Sequence, residues 1–160
     1  MINEIERKFF INEMPDLTGI QPLRYERYFL KSKNGEEERI SRINDRYFYE
    51  KKSVVSDLER TREKKEISAE EFNILKQQVE RPIIRDRFDI SGSPKISIQV
   101  YHGKHEGLIR AEVEFNSEEE AASFQPLPWM GAEMTGLPIA RDAQLVNLSE
   151  EDFEGFLRMK

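Results

Sequence analysis

The sequence predicts a mainly β (α+β) chain built on an eight-stranded antiparallel sheet, with a few peripheral helices. Three features predict it. Eight segments alternate polar and apolar side chains with period 2, the period of a strand. Short turn-forming pairs join them, and only three segments carry a helix cap followed by helical spacing.

The first strand covers residues 2–11, with Glu4, Glu6 and Lys8 on one face and Ile5, Arg7 and Phe9 on the other. Residues 24–31 form an aromatic-rich second strand, after which Lys33-Asn34-Gly35 reads as a turn. Strands follow at 39–43, 47–53, 60–67, 83–90, 96–102 and 108–115, with turns at Asn44-Asp45 and His102-Gly103. A serine cap with an acidic residue three positions later opens each helix: Ser68 with Glu71, Ser117 with Glu120, Ser149 with Asp152. The cap oxygen takes up an N–H that the first turn leaves unbonded. Phe72, Leu75 and Val79 form the first apolar stripe, Ala121 and Phe124 the second, Phe153, Phe156 and Leu157 the third. Residues 125–138, rich in Pro and Gly and holding the only tryptophan, read as an irregular connection.

A length of 160 residues suits one domain over residues 1–160, and 10% aromatic residues supply large buried area. Charged residues reach 35%, above the usual quarter, with 25 basic against 31 acidic for a net charge of -6. That sign weighs against a general nucleic-acid or anionic-membrane binder, whose affinity rests on neutralising phosphate. With no cysteine there is no disulfide scaffold, thiolate metal site or cysteine nucleophile. No apolar run suits a membrane span and the first residues lack a signal-peptide pattern, so a soluble cytoplasmic chain is expected.

The charges are sorted by strand face. Glu4, Glu6 and Lys8 share a face, as do Glu50 and Lys52, then Arg60, Arg62 and Lys64, then Arg85 and Arg87, then Glu112 and Glu114. Alternation alone allows two arrangements. The charged face either lies in solvent over an apolar core, or turns inward to line a wet, closed barrel. Carboxylates on the first and last strands with cations between them suit a polyphosphate and its divalent cation.

Glu4-Ile-Glu-Arg-Lys8 is an E-x-E-x-K signature, Gly107–Glu114 ends in E-V-E, and Trp129-Met-Gly-Ala-Glu-Met-Thr-Gly136 follows a W-x-G-x-E-x-T pattern. On these blocks, in this order, the sequence resembles the CYTH superfamily, the triphosphate tunnel metalloenzymes. The resemblance implies an eight-stranded antiparallel closed barrel that binds a triphosphate with Mg²⁺ or Mn²⁺. It implies that Glu4, Glu6, Glu112 and Glu114 hold metal. It implies that Lys8, Arg42, Lys52, Arg85 and Arg87, together with Arg60 and Arg62, grip phosphate oxygens. Glu4, Glu6, Lys8, Arg42 and Lys52 are implied as the catalytic set. Glu133, in the W-x-G-x-E block, takes either a structural or a direct role.

Three departures from the family pattern stand out. Ile40 and Arg42 replace R-x-R on the third strand, with Arg39 out of phase without a bulge. Arg62 and Lys64 stand where E-x-E is usual, and Ser97 and Gln99 where E-x-D is usual. The lumen is thus expected to lose four carboxylates and gain two cations. The implied function is metal-dependent hydrolysis of inorganic triphosphate or a small organic triphosphate. A cyclase making cyclic AMP from ATP, which could stack the base on aromatics of residues 24–30, and a non-catalytic polyphosphate binder are the alternatives. The small-molecule triphosphate is the one partner expected, with no nucleic acid and no membrane. His102 and His105 read as surface-loop residues, Glu36–Glu38 as solvated turn charges, Glu118–Glu120 as helix-start charges, and Trp129 as a plug over one barrel end.

Overall fold

The computed structural model describes residues 2–33, 36–79 and 81–160. Its strands are β1 Ile2–Ile11, β2 Leu23–Lys33, β3 Glu36–Ile43, β4 Arg46–Val54, β5 Glu59–Ile67, β6 Pro82–Ile90, β7 Lys95–His102, β8 Ile109–Phe115 and β9 Met130–Glu133. Its helices are α1 Ala69–Lys76, α2 Glu118–Ser123, α3 Asp142–Leu145 and α4 Glu150–Leu157. The eight expected strands are all present. The turn expected at Lys33-Asn34-Gly35 falls on residues outside those described, while the strands beside it pair from Lys33 opposite Glu36. Asn44 turns the next hairpin at φ 53°, a left-handed conformation that asparagine tolerates.

Antiparallel pairing runs β5-β4-β3-β2-β6-β7-β8-β1 and closes where β1 pairs with β5. Closure leaves the eight-stranded barrel without a free edge. β1 serves three neighbours along its length: Ile2–Ile5 face β5, Ile5–Phe10 face β8, and Phe9 and Ile11 face β9. β9 thus fills the seam where β5 has turned away. It lies inside the stretch expected to be irregular, because the Pro and Gly flanking it mask a four-residue strand in the sequence.

Two apolar clusters cover the barrel from outside. On one side Phe72 of α1 packs on Tyr28, Ile40 and Ile67. The Ser68 hydroxyl caps that helix by accepting from Glu71 N at 3.0 Å. On the other side Ala121, Phe124, Trp129 and Met130 cover Phe9, Ile98, Ala111 and Val113. Trp129 is therefore a packing residue on the barrel wall and not a plug. The plug is a third cluster, in which inward-facing Phe10, Ile83, Tyr101 and Leu108 at one barrel end meet Met134, Ile139, Ala140, Leu145 and Phe153. Among the described residues no helix is long and apolar enough to cross a membrane.

Candidate active site

Below the plug the barrel interior changes from apolar to ionic. Eleven basic and seven acidic side chains line a cavity that opens at the far end. The lumen thus has four more positive charges than negative ones, inside a chain whose net charge is -6. Strand alternation places them. Glu4, Glu6 and Lys8 on β1, Lys52 on β4, Arg60 and Arg62 on β5, Arg85 and Arg87 on β6, and Glu112 and Glu114 on β8 all face inward. Glu50 faces inward beside Lys52 as expected, and of the four carboxylates expected to be missing, Glu37 and Asp142 restore two from other positions.

Arg42 is the predicted residue that the fold moves elsewhere. Its side chain is 46% exposed on the outer wall, donates from Nε to Asn44 O at 2.9 Å and lies over the Tyr47 ring. The reason is Ile40, which is fully buried under α1. With Ile40 outward, alternation sends Glu37, Arg39 and Ser41 inward and Arg42 outward. The bulge lies in the facing strand, between Phe29 and Lys31 of β2, so β3 keeps this phase throughout. Glu37, expected in a solvated turn, is accordingly a buried lumen residue 3.5 Å from Arg39.

The carboxylates on β1 and β8 form the acidic wall. Oxygens of Glu4, Glu6 and Glu114 lie within 4.8 Å of one another, and Glu6 Oε2 is buried with no donor. That donor set fits a hard divalent cation, whose remaining positions substrate oxygens would fill. Glu112, the fourth predicted ligand, is engaged nearby: it accepts from Gln99 Nε2 at 2.7 Å and shares a hydrogen bond with Glu6. Burial and the Glu112 charge push the Glu6 carboxyl up. Glu112, despite its own burial, is held well below the usual range by Lys8, Arg87 and Arg110. The two carboxyls are thus pushed in opposite directions, Glu6 up and Glu112 down. For Glu4, burial alone would raise the carboxyl, but Lys52 at 3.0 Å and Arg62 at 3.8 Å lower it.

The cations surround this wall. Burial pulls the Lys8 ammonium down to about 8, against an opposing pull from Glu6 at 3.3 Å. Glu50 gathers Arg39 at 3.1 Å, Arg27 at 3.6 Å and Arg62 at 3.8 Å. Among the described residues four buried guanidinium nitrogens have no acceptor: Arg39 Nε, Arg62 Nε, Arg85 Nη1 and Arg141 Nε. Buried donors of this kind are costly unless a ligand uses them.

Sequence reasoning missed Arg27, Arg39, Arg110, Arg141 and Asp142. Arg110 alternates with Glu112 and Glu114, so its phase was readable. Arg27 likewise alternates with Tyr25. Arg141 and Asp142 carry no such signal, because they lie on no strand but at the start of α3, folded over the barrel end. There Gly136, at φ +88°, turns so close to Asp57 that a Cβ would meet its carboxylate oxygen at 3.1 Å, and Arg141 pairs with the same Asp57 at 3.2 Å.

Other singled-out residues lie outside the lumen. Glu133 binds Arg7 through two bonds of 2.7 and 2.9 Å on the outer wall, which assigns it the structural role of tying β9 to β1. His102 pairs with Asp86 at 2.9 Å. His105 is buried edge-on against Phe153 and not at the surface, because the helical turn after β7 folds under α4. Glu118–Glu120 open α2 as expected, with Ser117 accepting from Glu120 N.

No protein-family model matches the chain. The inorganic triphosphatase of Nitrosomonas europaea is 32% identical over 139 residues, covering 84% of this chain and 90% of that protein. The inorganic triphosphatase of Acetivibrio thermocellus is 27% identical over 158 residues, covering 96% and 99% respectively. The solved structure of the inorganic triphosphatase NE1496 superposes with a TM-score of 0.69 at 26% identity, covering 93% of this chain and 97% of that one. A Bacillus halodurans chain at 18% identity and TM-score 0.52, covering 76% of this chain and 86% of that one, shares the fold alone. A closed eight-stranded barrel with an ionic lumen, matched nearly end to end by these relatives, places the chain in the inorganic triphosphatase family of the CYTH, or triphosphate tunnel, superfamily.

Proposed function

We propose that the chain hydrolyses inorganic triphosphate, with Mg²⁺ or Mn²⁺ held by Glu4, Glu6 and Glu114. The observation that carries this reading is the lumen itself: a positive surplus, a cluster of three carboxylates on one wall, and buried guanidinium nitrogens lacking acceptors on the others. Such a site is complementary to a multiply charged anion accompanied by a cation. A divalent cation bound there supplies charge neutralisation and orients the phosphates. The chain does the rest. Arg39, Arg62 and Arg85 have donors free for phosphoryl oxygens, Lys8 and Lys52 add point charges, and the sealed end keeps bulk water out of the deep lumen. In this reading positioning and electrostatics carry most of the rate, as in phosphoryl transfer generally.

The aromatics that a nucleobase pocket would need are engaged otherwise. Tyr25 lies under Arg85 and Arg27, Tyr28 packs beneath α1, and Phe29 belongs to the plug. The test is phosphate release from inorganic triphosphate and ATP with Mg²⁺ or Mn²⁺, comparing wild type with Glu4→Gln and Arg85→Ala. Metal-dependent release from triphosphate, lost in both variants, is the expected result. Tight binding without turnover would leave a polyphosphate-binding module, and cyclic AMP from ATP would turn the reading to a cyclase.

A further inference from the structure

The closed end of the tunnel is finished by oxygen atoms of the protein. Asp142 is 5% exposed and uses both carboxylate oxygens. Oδ1 accepts from Tyr101 Oη at 2.6 Å and from Arg110 Nη2 at 3.3 Å. Oδ2 accepts from Arg27 Nη1 at 3.0 Å and from Arg85 Nε at 3.1 Å. Beside it, Ala140 O accepts from Lys8 Nζ at 2.6 Å and Ile139 O from Arg110 Nη1 at 3.1 Å. Four tunnel cations thus end on oxygens of one segment, residues 139–142, much as they would end on a phosphoryl group. Sealing the barrel does not require a charge, since the neighbouring plug residues are apolar and a buried ion carries a desolvation cost.

We propose that Asp142 is a built-in anion filling the innermost position of the phosphate-binding track, so that a polyphosphate entering from the mouth reaches Arg85 Nη1 and stops one unit short of Arg27 and Arg110. The inference rests on the polyphosphate reading above and gives that site its register. Asp142 is a positioning residue: it acts through the three guanidiniums and keeps the terminal phosphate level with the carboxylates of β1 and β8. Without it, the guanidiniums draw a phosphate deeper, past the carboxylates.

The test is calorimetric titration of linear triphosphate and tetraphosphate, without added metal, into wild type, Asp142→Ala and Asp142→Asn. In wild type the fourth phosphate stays at the mouth, and the two affinities agree within about threefold. In Asp142→Ala the vacated position accepts a phosphate, and the preference for tetraphosphate rises about tenfold, the scale of a buried charge-assisted contact. Asp142→Asn fills the same volume and keeps the wild-type ratio. A parallel loss of both affinities in Asp142→Ala, with the ratio unchanged, would show a merely structural role and overturn the inference. Because that variant leaves three guanidiniums without their counter-charge, its melting temperature is also followed in formate and in chloride at equal ionic strength. Formate fits the vacated carboxylate position and restores stability that chloride does not. Equal melting in both salts overturns the inference even if the variant is too unstable to titrate. Wild type that binds triphosphate but releases no phosphate with metal sinks the hydrolase reading alone, and the length ratio still decides the role of Asp142.

Discussion

Replacing Glu50 by glutamine separates the two demands made on the tunnel, folding and anion binding. Glu50 is 1% exposed and neutralises Arg39, Arg27 and Arg62 at 3.1, 3.6 and 3.8 Å. At an effective dielectric near 20, a unit pair at about 3 Å is worth about 5 kcal/mol before desolvation is counted. Breaking a buried pair by removing one partner costs about 3–5 kcal/mol net. Glutamine keeps the shape and one acceptor oxygen, so the expected loss is about 3 kcal/mol, or about 10 °C in melting temperature for a chain of this size. Triphosphate supplies the missing negative charge, so at saturation the gap between variant and wild type narrows. The pH dependence has a defined sign. Burial alone would raise the Glu50 carboxyl from its ordinary 4.5, but Arg39 and Arg27 outweigh burial and hold it far below. As pH falls the unfolded chain takes up this proton first, so the stabilisation is full above about 4.5 and is lost in more acid solution. Thermal melts from pH 7 to pH 3, with and without triphosphate, check all three points. A variant as stable as wild type at pH 7, or a gap that triphosphate leaves unchanged, would refute the reasoning.

Further outcomes follow from the same geometry. Arg42→Ala changes triphosphate affinity less than about twofold, whereas Arg39→Ala, which removes a lumen guanidinium, weakens it about tenfold or more by calorimetry. Glu114→Gln takes one oxygen from the three-carboxylate cluster and raises the metal concentration needed for half-maximal phosphate release, while triphosphate binding without metal is retained. Ser68→Ala removes the α1 cap and costs about 1 kcal/mol in denaturant unfolding without altering triphosphate affinity.

Much of the site could be read in the strands because alternation ties each inward side chain to its neighbours two positions away. Once Glu4, Glu6 and Lys8 share a face, the phase of β1 is settled, and the same holds for Arg85 with Arg87 and Glu112 with Glu114. Phase fails where a strand offers both choices. β3 carries Arg39 and Arg42 on opposite faces, and only the burial of Ile40 beneath Phe72, a contact 32 residues apart in sequence, decides which guanidinium enters the lumen. Gln99 shows a subtler limit: read as a lost carboxylate, it bridges Arg110 and Glu112 with bonds of 2.9 and 2.7 Å.

The sequence by itself determined the period-2 strands, the serine caps and the sorting of charge from apolar side chains, since these depend on residues within a few positions of one another. Closure of β1 onto β5, the filling of the barrel end by residues 134–145, and the meeting of Arg27, Arg85 and Arg110 on Asp142 belong to the tertiary structure alone. Those contacts join segments up to 132 residues apart, as Lys8 with Ala140. A local pattern holds no record of such distances, because what selects them is the shared need to neutralise buried charge and cover apolar surface once the barrel has closed.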